Sequence, residues 1–130
     1  MSVGYVSRVR VPLKAWNYLN NRGRVYVFLP YRRRRDVDVV EATLYKNGRV
    51  YRSVKARCIF DSEYVYDGLS ACKAKIKSIL HETGYRRVND LMAVYKIASI
   101  YNDKKRIPFL SKYYIYRLEL LGEDEDVGNP

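Results

Sequence analysis

Residues 36–60 read DVDVVEATLYKNGRVYRSVKARCIF, two alternating runs on either side of Asn47-Gly48. Asn-Gly in that setting is the strongest short-range signal for a β-hairpin, because both central residues of a type I′ turn need positive φ. A two-residue turn at 47–48 sets an expected register. Lys46 faces Arg49, Leu44 faces Tyr51, Val40 faces Lys55 and Asp38 faces Arg57; on the other face Tyr45 meets Val50 and Thr43 meets Arg52. Lys46 against Arg49 places like charges opposite each other, an unfavourable pair that water tolerates and a polyanion would relieve.

Immediately before the hairpin stand Pro30-Tyr31 and four consecutive arginines, Arg32 to Arg35. Pro30 ends the apolar run Arg24 to Leu29, which reads as a strand, and the arginines read as a loop. Upstream, Gly4 to Val11 alternates, with Tyr5, Ser7, Val9 and Val11 on one side and Arg8 and Arg10 pointing outward on the other. Pro12 suits a helix first turn; Leu13, Trp16 and Leu19 recur at helical spacing, with Trp16 expected in the core, and Gly23 ends the segment.

Downstream, Asp61 to Gly68 reads as an acidic turn region. Leu69 to Thr83 is the clearest helix, its stripe formed by Leu69, Cys72, Ile76, Ile79 and Leu80, with Gly84 as the stop. Lys73, Lys77 and His81 line one flank of it. Asn89 is a suitable N-cap for a helix through about Tyr95, while residues 94–101 suit helix and strand equally. Tyr113 to Leu121 reads as a last strand with Tyr114, Tyr116 and Leu118 on one side, and Glu123 to Asp126 lie in an acidic, disordered tail over 122–130. The expected fold is α+β: one domain over residues 1–121, with a small antiparallel sheet of five or six strands, a central hairpin at 36–60, and two or three helices on one side. This order of elements is similar to that of the PUA/ASCH-like RNA-binding barrels, although no motif residue carries over.

The net charge of +11 is unevenly placed. Residues 1–57 hold 14 Lys and Arg against three acids, whereas residues 58–130 hold 11 of each sign. Such one-sided excess speaks to partners and not to fold, and makes a phosphate polymer, DNA or RNA, the leading candidate. Arginine holds phosphate through paired N–H bonds, and interleaved tyrosines can stack on bases. The expected contacts are Arg32, Arg33, Arg34 and Arg35, helped by Arg8, Arg10, Lys46, Arg49 and Arg52, with Tyr31 and Tyr51 as stacking residues, all gathered on one contiguous patch. No RNP-type aromatic motif, zinc-finger spacing or helix-turn-helix is evident, so backbone contacts with little sequence preference are expected. Six or so neutralised phosphates imply roughly a thousandfold or greater loss of affinity between about 50 and 200 mM salt.

Two other readings follow from the residues. Asp36, Asp38, Asp61 and Glu63 would collect at the open end of the hairpin, where a metal-dependent nuclease would want oxygen ligands beside cations. Salt links, Asp38 to Arg57 and Asp36 to the arginine run, are the simpler account, and neither catalytic residues, a metal nor a cofactor is expected. A self-associating nucleoprotein or coat-type subunit is the second alternative, with Tyr113 to Tyr116 as a homodimer contact if it lies at a sheet edge. Two cysteines without CxxC spacing and a lone histidine lack a zinc set, and read as reduced thiols of an intracellular, cytoplasmic or virion protein. No apolar run reaches the ~18 residues of a membrane span, and the N-terminus shows no signal pattern. The absence of glutamine beside 14 tyrosines resembles the composition of small proteins from hyperthermophilic archaea and their viruses.

Overall fold

The computed structural model describes residues 7–66, 70–97 and 111–122. The acidic run from Glu123, residues 98–101 and Leu69 lie outside them. The elements in chain order are β1 (Arg8–Arg10), α1 (Leu13–Arg22), β2 (Arg24–Leu29), β3 (Val37–Lys46), β4 (Arg49–Tyr66), α2 (Ser70–Ile79), a 3-10 turn (Leu80–Glu82), α3 (Val88–Val94) and β5 (Ser111–Leu120). The domain is α+β, with a five-stranded sheet in the order β1-β3-β4-β5-β2. The sheet is mixed where an antiparallel one was expected: β1 runs parallel to β3, and every other pairing is antiparallel. α1 joins β1 at one edge to β2 at the other. Its first turn is anchored by the Pro12 carbonyl, which accepts from Trp16 N–H at 2.8 Å, so Pro12 caps the helix from just outside it.

Asn47 and Gly48 both have positive φ, 54° and 77°, as the type I′ turn requires. Lys46 pairs with Arg49 and Tyr45 with Val50, but the register then slips by one, and Leu44 pairs with Arg52. Tyr51 is the extra residue of a β-bulge. The physical reason is the core. Without the bulge, Lys55 would face Val40; with it, Val40 meets Ala56 and Ala42 meets Val54, so apolar residues of β3 and β4 share the buried face. Asp38 therefore lies opposite Cys58, not Arg57.

A second slip, between Phe60 and Ser62, leaves Asp61 unpaired in the middle of β4. The expected turn at 61–68 is instead strand as far as Tyr66, paired with β5. The bulge absorbs the acid and switches the alternation, so that Tyr64 falls on the opposite face from Phe60.

Two apolar clusters result. One joins Ala15, Trp16 and Leu19 of α1 to Val9, Val25, Val27, Val40, Ala56, Cys58, Tyr116 and Leu118. The other joins Phe28, Tyr64 and Ile115 to Ile76 of α2 and Leu91 and Met92 of α3. Because alternate strand residues point to opposite faces, the division of β2 into Val25/Val27 and Phe28 places helices on both faces, not one. The clusters meet at Tyr95, which packs against both. Gly84 lies tight against α1: with φ +85°, a Cβ there would sit 2.5 Å from the Lys14 carbonyl oxygen. α3 begins one residue before Asn89, so that residue occupies the first turn and not the cap.

Candidate functional site

The four arginines of the 32–35 loop split into two pairs with different environments. Arg32 forms an ion pair with Asp36, stacks its guanidinium 3.8 Å from the Phe60 ring centroid, and donates from Nη1 to the Tyr116 hydroxyl at 3.2 Å. The Asp36 hydrogen bond, followed by that to Tyr116, raises its pKa above the ordinary arginine value. Arg33 is largely covered, its side chain 9% exposed, with Nη2 3.0 Å from Asp38 Oδ2. Its backbone N–H donates to the Tyr116 hydroxyl at 2.7 Å. Asp38 in turn accepts the Val39 N–H, and Phe60 N–H donates to the Asp36 carbonyl, so the loop is tied to the start of the hairpin. Arg34 and Arg35 are exposed and form no ion pair among the described residues. Tyr31 beside them is half-exposed.

The other expected contacts sit far from this loop. β3 spans ten residues from Val37 to Lys46, and at the ordinary strand rise the hairpin tip is about 30 Å from the arginine loop. The single patch expected from the sequence is thus two patches at opposite ends of β3. At the tip, Lys46 Nζ and Arg52 Cζ each lie 5.2 Å from the centroid of the Tyr51 ring, which is 52% exposed. Arg49 pairs with Lys46 across the turn. On the adjoining edge strand, Arg10 Cζ lies 4.9 Å from the Tyr45 ring. Between the two ends stands Arg8, whose charge is met by Glu41 at 3.3 Å.

The tip thus gathers Lys46, Arg49 and Arg52 on the face that carries α1, while Arg10 and Tyr45 lie on the opposite face of the sheet. Residues 42–60 contain no acid at all, nor does α1, which passes beneath Arg52. Among the described residues the tip cations form no ion pair, and Lys46 and Arg52 lie over an aromatic ring, an arrangement that leaves them available to an external anion.

Below the tip, α1 and β4 flank an open groove of about 530 Å³ lined by Trp16, Asn20, Arg52, Ser53 and Val54. Trp16 is a core residue, as its spacing indicated, with 7% of its surface left exposed. Asn20 and the cavity escaped the sequence reading; the one available signal was that Trp16 and Asn20, four apart, share a helix face.

The carboxylates behind the nuclease reading are already engaged or dispersed. Asp36 and Asp38 pair with Arg32 and Arg33, Asp61 accepts from the Ser62 hydroxyl, and no three His, Cys, Asp or Glu side chains group to hold a metal among the described residues. Nor does β5 offer the edge expected for a homodimer contact, since β4 and β2 flank it. Cys58 is a buried free thiol whose pKa burial pushes up to about 11. On the expected Lys73–Lys77–His81 ridge, Lys77 and His81 are exposed, and His81 stands 3.5 Å from Glu82. No helix among the described residues is long and apolar enough to cross a membrane. Comparison with protein-family models, curated proteins and solved structures finds no match for this chain.

Proposed function

We propose that the protein binds nucleic acid through the phosphate backbone with low sequence specificity, and that the hairpin tip is the principal contact. The observation that carries this reading is the acid-free turn that holds Lys46, Arg49 and Arg52 together on one sheet face, with the exposed Tyr51 beside Lys46 and Arg52. Three cations held together at an exposed turn repel one another, and a polyanion relieves that repulsion while releasing its own counterions. Guanidinium groups suit phosphate oxygens, and the tyrosine supplies a face for a base. Arg34 and Arg35 form a second contact at the far end of β3, whereas Arg32 and Arg33 hold the loop in place and leave the contact set.

The test is a salt series of binding curves for the Lys46→Ala/Arg49→Ala/Arg52→Ala variant. Loss of three phosphate contacts lowers the slope of log K against log salt by about 2–3. The thermal midpoint stays close to that of the unaltered chain, because these side chains are exposed. Affinity and slope equal to those of the parent protein overturn the proposal.

A further inference from the structure

The cavity between α1 and β4 opens directly onto the tip, because Arg52 both lines it and lies 5.2 Å from the Tyr51 ring. We infer that this cavity takes the base of an unpaired nucleotide, so that the protein's substrate is single-stranded nucleic acid. The inference rests on the proposed function and adds the class of strand to it.

Size and lining both fit. The groove holds about 530 Å³ and is open to solvent, room enough for one base, and its lining is mostly polar with a smaller apolar part from Val54 and Trp16. Val54 and the exposed margin of the Trp16 indole supply the floor. At the rim, Asn20 Nδ2 donates to the Trp16 carbonyl at 2.9 Å, which orients the amide and leaves its oxygen and second hydrogen for a partner. One acceptor beside one donor matches the edge of a nucleobase. Arg52 forms no ion pair among the described residues and sits where the phosphate of that nucleotide would pass. Tyr51, half-exposed next to it, offers a stacking face to the neighbouring base.

The geometry also selects against duplex. In a double helix the base edges are paired and the faces stacked, so a slot between a helix and a strand can receive a base only after it has been unpaired. Phosphates of a duplex still reach the tip cations, so duplex binding survives in weaker form without occupying the cavity.

Trp16 is the only tryptophan, so its emission reports on the floor of this groove and the core packed beneath it. The experiment titrates the full chain at low salt with a ~12-nucleotide oligothymidylate and with a duplex of equal length, a size spanning one ordinary single-strand site. Two readouts are taken: anisotropy of end-labelled nucleic acid, and Trp16 emission with its accessibility to acrylamide. The expected result is tighter binding of the single strand, with Trp16 quenched and shielded by it and unchanged by the duplex. Asn20→Ala, at an exposed position, weakens the single strand by about fivefold to tenfold and leaves the duplex nearly unaffected. If the single strand binds by anisotropy while Trp16 emission and accessibility stay constant, or if duplex matches it on both readouts, the cavity assignment is overturned and backbone binding stands. If neither nucleic acid changes the anisotropy, the proposed function itself fails.

Discussion

Replacing Asp38 with alanine separates the two roles that the arginine run combines. Arg33 is 91% enclosed on its side chain, and Asp38, 27% exposed, is its only carboxylate partner among the described residues. Arg33 Nε is already buried without a hydrogen-bond acceptor, so no spare partner stands ready to take over. Removing one member of a buried pair costs about 3–5 kcal/mol, because the remaining charge stays desolvated. Partial exposure of Asp38 places the expected loss near the lower end, about 3 kcal/mol. For a domain of this size that is a fall in melting temperature of about 10 °C. The assay is thermal unfolding followed by far-UV circular dichroism, with Arg34→Ala as a control expected to stay within about 0.5 kcal/mol of the parent. A second variant carrying Asp38→Leu together with Arg33→Met should recover most of the loss, since an apolar pair of similar volume avoids the desolvation cost. An Asp38→Ala melting temperature within about 2 °C of the parent would refute the reasoning, because a change that small is expected of a surface pair.

Three further outcomes follow from the same structure. Tyr116→Phe removes the oxygen that accepts from Arg33 N–H and Arg32 Nη1, and should cost about 1–3 kcal/mol in chemical denaturation, whereas a loss under about 0.5 kcal/mol would mean that water replaces it freely. Gly84→Ala drives a Cβ to 2.5 Å from the Lys14 carbonyl oxygen at a φ unfavourable to alanine, so destabilisation should exceed the ~1–2 kcal/mol of the left-handed backbone alone. Cys58 should resist Ellman's reagent until the protein unfolds, since its thiol is buried and its pKa is raised to about 11 from 9.0. The unfolded chain gives up that proton from about pH 9, and the folded chain only near 11. Stability from this group is therefore complete below pH 9 and falls as the pH rises through 11, and Cys58→Ala should flatten that part of the alkaline profile.

What residues 36–60 dictate locally was legible in the sequence. Asn47-Gly48 requires a backbone that other residues adopt poorly, and the structure has the turn there with both φ values positive. The alternation of Val9 and Val11 with Arg8 and Arg10, and of Tyr114, Tyr116 and Leu118 along β5, also marked the buried face correctly. The bulge at Tyr51 was within reach of the same logic, because a register placing Lys55 against Val40 conflicts with an apolar core. Even the two-sided burial of β2 had a trace, the continuous apolar run Val25 to Leu29.

Other features depend on residues brought together from distant parts of the chain. Arg32 and Arg33 look identical to Arg34 and Arg35 in the sequence, and only the arrival of Tyr116 and Phe60, 84 and 28 positions beyond Arg32, decides which guanidinium groups are tied down. Likewise the length of β3 divides a charge excess that reads as one block into two ends, because an extended strand carries its termini apart instead of folding them together. The cavity beside Trp16 belongs to neither α1 nor β4 alone. Local backbone preference and alternation are properties of neighbours in the chain, whereas the pairing of a charge and the shape of a surface are set by packing between segments.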